Sequence, residues 1–294
     1  MKLLPFLCVL FVTLLFIPNV VLADWRWSTK STDFRLYGWM QGRSTWTDQE
    51  GLSAQFTSTR LRFHADKSRW HLYAYAELVD ADKPDANWLQ EINVTYDIAE
   101  EWHITAGRLF RASAYITPPP FLLETSRYPR TPFPLYAYGV RITGKAGIST
   151  VRVDITGMSN ASFQTDDSFD RAESAVRIEI PIGAWKVSAT SQVANELGLY
   201  AVDVKYSSKC TVVRGATWST SKRTAQEVGA YVFVSQRIQP RLELHGQIDS
   251  IASESTILTG GLRLLTLNEF VTLTVDYERT DKKGRWLSRL QWRF

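Results

Sequence analysis

From residue 33 to the end of the chain, apolar and polar side chains alternate with a period of two in segment after segment. Extended strands read this way, because successive side chains point to opposite faces. Residues 55–65 carry Thr59, Leu61, Phe63 and Ala65 against Ser58, Arg60, Arg62 and His64. In 69–79, Trp70, Leu72, Ala74, Ala76 and Leu78 oppose Arg69, His71, Tyr73 and Glu77; in 88–98, Ile92, Val94, Tyr96 and Ile98 oppose Glu91, Asn93, Thr95 and Asp97. Val151, Val153 and Ile155 oppose Arg152, Asp154 and Thr156, and Val176, Ile178 and Ile180 oppose Arg177 and Glu179. At the end, Trp286, Ser288, Leu290, Trp292 and Phe294 stand against Leu287, Arg289, Gln291 and Arg293. Counted through, the pattern predicts about sixteen strands (roughly 14–18), the least regular being 210–219 and 256–267. No sustained 3.6-residue period, GxGxxG, P-loop or low-complexity tract interrupts it.

Most of these segments approach the ~9–11 residues with which a tilted strand crosses a bilayer. The segments between them alternate in length. Longer ones are expected at 42–53, 80–87, 111–135, 160–172 and 280–285, and tight turns near 66–68, 99–101, 145–148 and 182–183. Long loops at one end and short turns at the other belong to a transmembrane antiparallel β-barrel, whose single-chain bacterial forms take an even strand number. A soluble sandwich seldom needs so many strands with one two-faced pattern. The mean hydropathy of -0.18 is no objection, since a barrel strand shows lipid only every second side chain. Eleven Trp and twelve Tyr suit interfacial aromatic girdles.

The first residues have the form of a secretory signal. Lys2 gives a short positive region, Leu3 to Ile17 an apolar core, and Val21-Leu22-Ala23 a small-residue cleavage site before Asp24. The expected organisation is therefore a cleaved signal peptide over 1–23 and a single barrel domain over 24–294. Cys8 leaves with the signal, so Cys210 remains alone and no internal disulfide can form. The formal charge of +4 drops to +3 without Lys2, too little to argue for nucleic acid.

The terminal Phe294 on an amphipathic strand resembles the closing strand of bacterial outer-membrane barrels. That resemblance implies recognition by the barrel-assembly machinery and a wall set in outer-membrane lipid. Residues 33–140 more specifically resemble the phosphate-selective (O/P-type) porins. The similarity rests on Thr59-Arg-Leu-Arg-Phe63, Tyr73-Ala-Tyr-Ala-Glu77, Leu89-Gln-Glu-Ile-Asn-Val-Thr-Tyr96 and Trp102-His-Ile-Thr-Ala-Gly107-Arg108. It implies a homotrimeric sixteen-stranded pore with an arginine-lined constriction. The chain departs from that family in being shorter and in showing no dense lysine cluster.

If the apolar faces meet lipid, the polar faces line a bore too wide for side chains to fill. Arg60, Arg62, Arg141, Arg152 and Arg177 then face the lumen. The stretch 111–135, the third long connection, holds six of the eleven prolines together with Phe121, Leu122, Leu123 and Phe133. Stiff and apolar, it is expected to fold against the inner wall, bringing Arg111, Arg127 and Arg130 to the constriction beside Glu124. Guanidinium groups in a desolvated narrowing favour phosphate-like or carboxylate anions. The competing reading is that they pair with lumenal carboxylates, Asp154 beside Arg152 and Glu179 beside Arg177, and stiffen the wall. Only four histidines occur, His64, His71, His103 and His245, none in a recognisable nucleophile motif, and no cofactor or metal set is evident. The reading is a passive outer-membrane channel for small hydrophilic solutes with a lean toward anions. The alternatives are an outer-membrane barrel enzyme of lipase or protease type, and a plugged structural or adhesive barrel.

Overall fold

The computed structural model describes residues 24–47, 51–80, 89–111, 136–157, 172–194, 197–222, 225–252, 256–265, 271–280 and 283–293. Seventeen strands run in chain order. They are β1 (Trp25–Ser28), β2 (Asp33–Thr47), β3 (Gly51–Lys67), β4 (Trp70–Asp80), β5 (Leu89–Ala99) and β6 (Trp102–Phe110). Next come β7 (Tyr136–Ala146), β8 (Ser149–Gly157), β9 (Ala172–Ile182), β10 (Trp185–Ala194), β11 (Leu197–Ser207) and β12 (Thr211–Lys222). The last are β13 (Ala225–Gln239), β14 (Leu242–Ile251), β15 (Ile257–Leu265), β16 (Val271–Arg279) and β17 (Gly284–Arg293).

From β2 onward each strand pairs antiparallel with the next, and β17 returns to β2 with Arg285 opposite Thr47 and Arg293 opposite Trp39. Sixteen strands thus close into a barrel. The short β1 is the seventeenth. It pairs with the beginning of β2, Trp25 opposite Leu36 through Ser28 opposite Asp33, on the edge that β17 leaves uncovered. The two ends of the chain therefore cover one edge of β2 in succession. Closure matters because an open edge offers unpaired amides and carbonyls to any passing strand, and in hydrocarbon nothing else could satisfy them.

The ends of the barrel differ. At one, β3 and β4, β5 and β6, β7 and β8, and β9 and β10 are joined by tight turns. Gly147 and Gly183 take φ of 62 and 60 there, a region that side chains disfavour and two-residue hairpins require. The other end carries the spans 81–88, 112–135 and 158–171, outside the described residues, as are 1–23 and Phe294. Two expected connections are corrected. Segment 42–53 is mostly strand, since β2 runs to Thr47 and β3 starts at Gly51, leaving only 48–50 between them. Its polar composition hid backbone pairing on both sides, with β3 and with β17. Likewise 280–285 shrinks to 280–283, closed by the Thr280 amide donating to the Lys283 carbonyl.

Burial is inverted relative to a soluble protein. On β9, Val176, Ile178 and Ile180 are exposed, while Glu173, Ala175 and Arg177, on the other face of the strand, are buried. On β8, Ile155 is 61% exposed and its neighbour Asp154 2%. In water this order would waste the hydrophobic term on strands such as these. Surrounded by hydrocarbon, it puts each apolar side chain in its preferred solvent. Aromatic residues concentrate on the outer face near the turns: Trp27 stacks on Phe34, and Trp70 on Tyr96 and Trp185 on Tyr206 have ring centroids 4.6 and 5.0 Å apart. Near the other end Tyr277 and Trp286 pair at 5.0 Å. Two such belts mark where a bilayer's interfaces would fall.

Candidate pore wall

Cross-strand register fixes which side chains share the lumenal face. Arg60 stands opposite Trp39 and Glu77, Arg62 opposite Tyr37 and Tyr75, Arg141 opposite Thr105 and Asp154, and Arg177 opposite Arg152 and Thr190. All five strand arginines named from the sequence lie on this face. They are held in two different ways.

Arg141 on β7 and Arg177 on β9 are neutralised by carboxylates. Arg141 grips Asp154 through Nε and Nη2, both at 2.7 Å, and its Nη2 also donates to the Phe110 carbonyl at 2.5 Å. Arg177 donates to both oxygens of Asp203 at 2.6 and 3.0 Å and to the Thr190 hydroxyl at 2.8 Å. These bidentate pairs are strong and directional. Pairing was foreseen with other partners: Asp154 serves Arg141 rather than Arg152, and Arg177 lies 4.0 Å from Glu179 but binds Asp203 two strands away. Residues i and i+2 on one strand point the same way without facing each other, so adjacent strands supply the better geometry.

On β2 to β4 the setting is aromatic. Arg60 pairs with Glu77 at 2.5 Å. Arg62, in contrast, lies over the Trp39 ring at 4.8 Å and the Tyr75 ring at 5.4 Å. It also hydrogen-bonds Tyr37, and among the described residues no carboxylate lies within ion-pair distance of it, Glu91 acting on it only from farther off. Trp39 stacks on Tyr75, and Tyr37 on His64. Ring faces attract a guanidinium without cancelling its charge. Sequence reading placed Tyr73 on the polar face but did not foresee this cradle, because only register brings Trp39 beside Arg62.

Arg111, the last described residue after β6, shows where the chain turns. It makes an ion pair with Glu173 on β9 at 2.9 Å and donates to the Gly157 carbonyl at 2.9 Å, with both charged side chains 1% exposed. Arg127 and Arg130 lie outside the described residues, as do Phe121, Leu122, Leu123, Glu124 and Phe133.

Further charged pairs follow along the wall. Arg263 meets Glu243, and Arg285 meets Glu278, each at 3.0 Å. His245 Nε2 bonds Asp276 Oδ1 at 2.6 Å. The two reach each other across β15 because Gly261 stands between them, where a Cβ would collide with the Asp276 carboxylate and the Val275 carbonyl. Ser235 faces His245 in register, but no hydrogen bond joins them. Near the turns, Asp97 bridges His71 at 3.0 Å and His103 at 2.7 Å, and His71 also meets Asp66 at 2.7 Å. No group of three or more His, Cys, Asp or Glu suited to a metal occurs among the described residues. A stretch of the inner face on β10 to β14 is apolar instead, with Leu199, Trp218, Tyr231, Phe233 and Ile251 buried together. This is why β12 alternates poorly: Ala216 and Trp218 occupy positions that elsewhere are polar.

Beyond the described strands, Asp24 joins the wall's lower edge. Its carboxylate accepts from Arg35 at 2.9 and 2.8 Å and from Arg26 at 2.9 Å. Arg35 first, then Arg26, hold its pKa well below the usual carboxylate range.

No protein-family model matches the chain, and no curated protein matches it in sequence. Solved structures do match in shape. Salmonella typhi OmpF, solved with daunomycin, aligns with a TM-score of 0.72 at 12% identity, over 92% of this chain and 100% of that one. The outer-membrane expressed OmpT of Vibrio cholerae aligns at 0.69 with 8% identity, over 92% and 100%. A five-residue mutant of the Rh. blastica porin aligns at 0.64 with 10% identity, over 89% and 100%. The chain has the closed sixteen-stranded fold of these bacterial outer-membrane porins; the O/P-type likeness drawn from residues 33–140 is not singled out among them.

Proposed function

We propose that the protein is an outer-membrane porin, a passive diffusion channel for small hydrophilic solutes with a lean toward anions. The observation that carries this is the inverted burial: apolar side chains on the outer wall, ionised pairs and hydroxyls on the inner. A barrel of sixteen strands is wide enough to hold a water-filled channel, and flow down a gradient needs no bond chemistry. On this reading the chain is exported by a cleaved signal over 1–23, inserted by the barrel-assembly machinery through Phe294, and assembled as a homotrimer like the trimer form of the Vibrio cholerae OmpT. The short turns face the periplasm.

Within the bore, the neutralised arginines 141 and 177 stiffen the wall, and the anion lean rests on Arg62 with its uncancelled charge. The segment beginning at Arg111 folds inward and narrows the channel; support comes from the Arg111–Glu173 pair, which ties the end of β6 to an inward residue three strands along. Arg127 and Arg130 would ride on that segment.

The test is the current through purified protein in a planar bilayer. Discrete conductance steps, with a reversal potential in a salt gradient that favours chloride over potassium, are expected. A barrel that carries no current and hydrolyses ester or peptide bonds would replace the channel with the enzyme reading.

A further inference from the structure

Lys186 on β10, Lys205 on β11 and Arg214 on β12 form one row: Lys186 is the direct cross-strand partner of Lys205, and Lys205 of Arg214. All three lie on the inner face, one position from the Trp185–Tyr206 aromatic pair on the outer face, and so at the turn end of the bore. Like charges placed directly opposite on neighbouring strands repel and destabilise a sheet. Elsewhere on this wall a carboxylate offsets such a cost at two places: Asp24 between Arg26 and Arg35, and Asp203 against Arg177, which faces Arg152. Here the nearest carboxylates are engaged: Asp203 is held at both oxygens by Arg177, and Glu179 accepts from Lys186 at 2.7 Å. Among the described residues, Lys205 and Arg214 make no ion pair and no hydrogen bond, and Arg214 Nε is shielded from solvent without a partner. Two cations on adjacent strands thus face the bore side by side, with the carboxylates around them already engaged.

We propose that Lys205 and Arg214, flanked by Lys186, form a binding site for a small oxyanion of the phosphate or carboxylate class at the turn end of the channel. The fork of Arg214 fits two oxygens side by side, and the Lys205 ammonium supplies a further point charge; together they would relieve the repulsion within the row. The site extends the channel reading: solutes crossing the bore would pause here, and the lean toward anions would have a second seat on the wall facing Arg62's half.

Two measurements separate this site from the channel reading. In planar bilayers bathed in potassium chloride, added inorganic phosphate should reduce the chloride current of the unaltered protein and of Lys209→Gln, whose charge lies in the β11–β12 turn. In Lys205→Gln/Arg214→Gln the phosphate concentration for half reduction should rise at least about tenfold, equivalent to about 1.4 kcal/mol. Succinate in place of phosphate tells whether the site prefers the tetrahedral or the planar anion. In detergent, where no current is needed, phosphate should raise the melting temperature more than chloride at equal ionic strength, and the double variant should lose that difference. A half-reduction unchanged by the double substitution, or no phosphate-specific stabilisation of the unaltered protein, overturns the site while leaving conductance intact. Absence of any current with phosphate stabilisation retained would overturn the channel and leave the site.

Discussion

Arg62 on β3 and Arg141 on β7 are both inward-facing guanidinium groups in the middle of a barrel strand, yet they have opposite physical status. Arg141 is locked to Asp154 by two 2.7 Å bonds and is almost wholly buried. Arg62 lies against two aromatic rings and keeps its charge. The first is a cross-brace whose field is cancelled within a few ångströms; the second projects its field into the bore. On the channel reading proposed above, counting lumenal arginines overstates anion preference, and what each is packed against decides its effect.

The comparison is broken most severely at Asp154. Asp154→Ala leaves Arg141 buried and uncompensated and should cost about 3–5 kcal/mol, read as the shift of the urea midpoint in detergent or as loss of folded barrel on a heat-modifiability gel. The double variant with Arg141→Leu should recover much of that loss, because an apolar replacement removes the stranded charge as well. The single variant uncancels the Arg141 charge and should move the reversal potential toward anions, whereas the double variant, with both charges gone, should leave it nearly unchanged.

Next in size is a charge on the outer face. Val140→Arg places a second guanidinium one residue from Arg141 but pointing outward, where it should cost about 2–4 kcal/mol in a bilayer. Equal tolerance at positions 140 and 141 in lipid vesicles would mean that the two faces share a solvent.

How much of this was legible beforehand follows from the same alternation. The barrel, its strand number and the inward placement of Arg60, Arg62, Arg141, Arg152 and Arg177 come directly from a period of two, which a single residue's slip would reverse. What failed were features whose signal is not periodic. Residues 42–47 carry polar side chains on both faces and read as loop, although their backbone is paired on both edges. On β11 and β12, Leu199, Ala201, Ala216 and Trp218 make the inner face apolar, so the contrast between faces fades. Ion-pair partners such as Arg177 with Asp203 depend on register between strands, as does the row of Lys186, Lys205 and Arg214, whose members are 19 and 9 positions apart in the chain.

A smaller effect sharpens the comparison at Arg62. Arg62→Gln should cost about 1–2 kcal/mol, since ring contacts and a hydrogen bond with Tyr37 are lost, while moving the zero-current potential in a salt gradient toward cations. An unchanged potential would assign Arg62 to the bracing class with Arg141.

The smallest effect concerns Asp24, which ties β1 to β2 through Arg35. Its depressed pKa means that its stabilisation is fully present above the ordinary carboxylate pKa and fades as pH falls from there toward the depressed value. Melting temperature measured from pH 6 down to pH 2 should therefore fall slightly more steeply for the unaltered protein than for Asp24→Asn, the gap narrowing at the acid end as the carboxylate protonates and staying small throughout because the side chain is partly exposed.

The claim beneath all of this is that neighbouring residues of one strand meet different solvents. Arg152 and Val153 on β8 test it most directly, as single cysteines in a Cys210→Ser background, with the protein in vesicles. The account predicts that a charged, membrane-impermeant thiol reagent modifies Arg152→Cys and spares Val153→Cys, whereas a fluorophore at position 153 alone is quenched by brominated lipid. Modification of position 153 from water, or lipid quenching at 152, would contradict it.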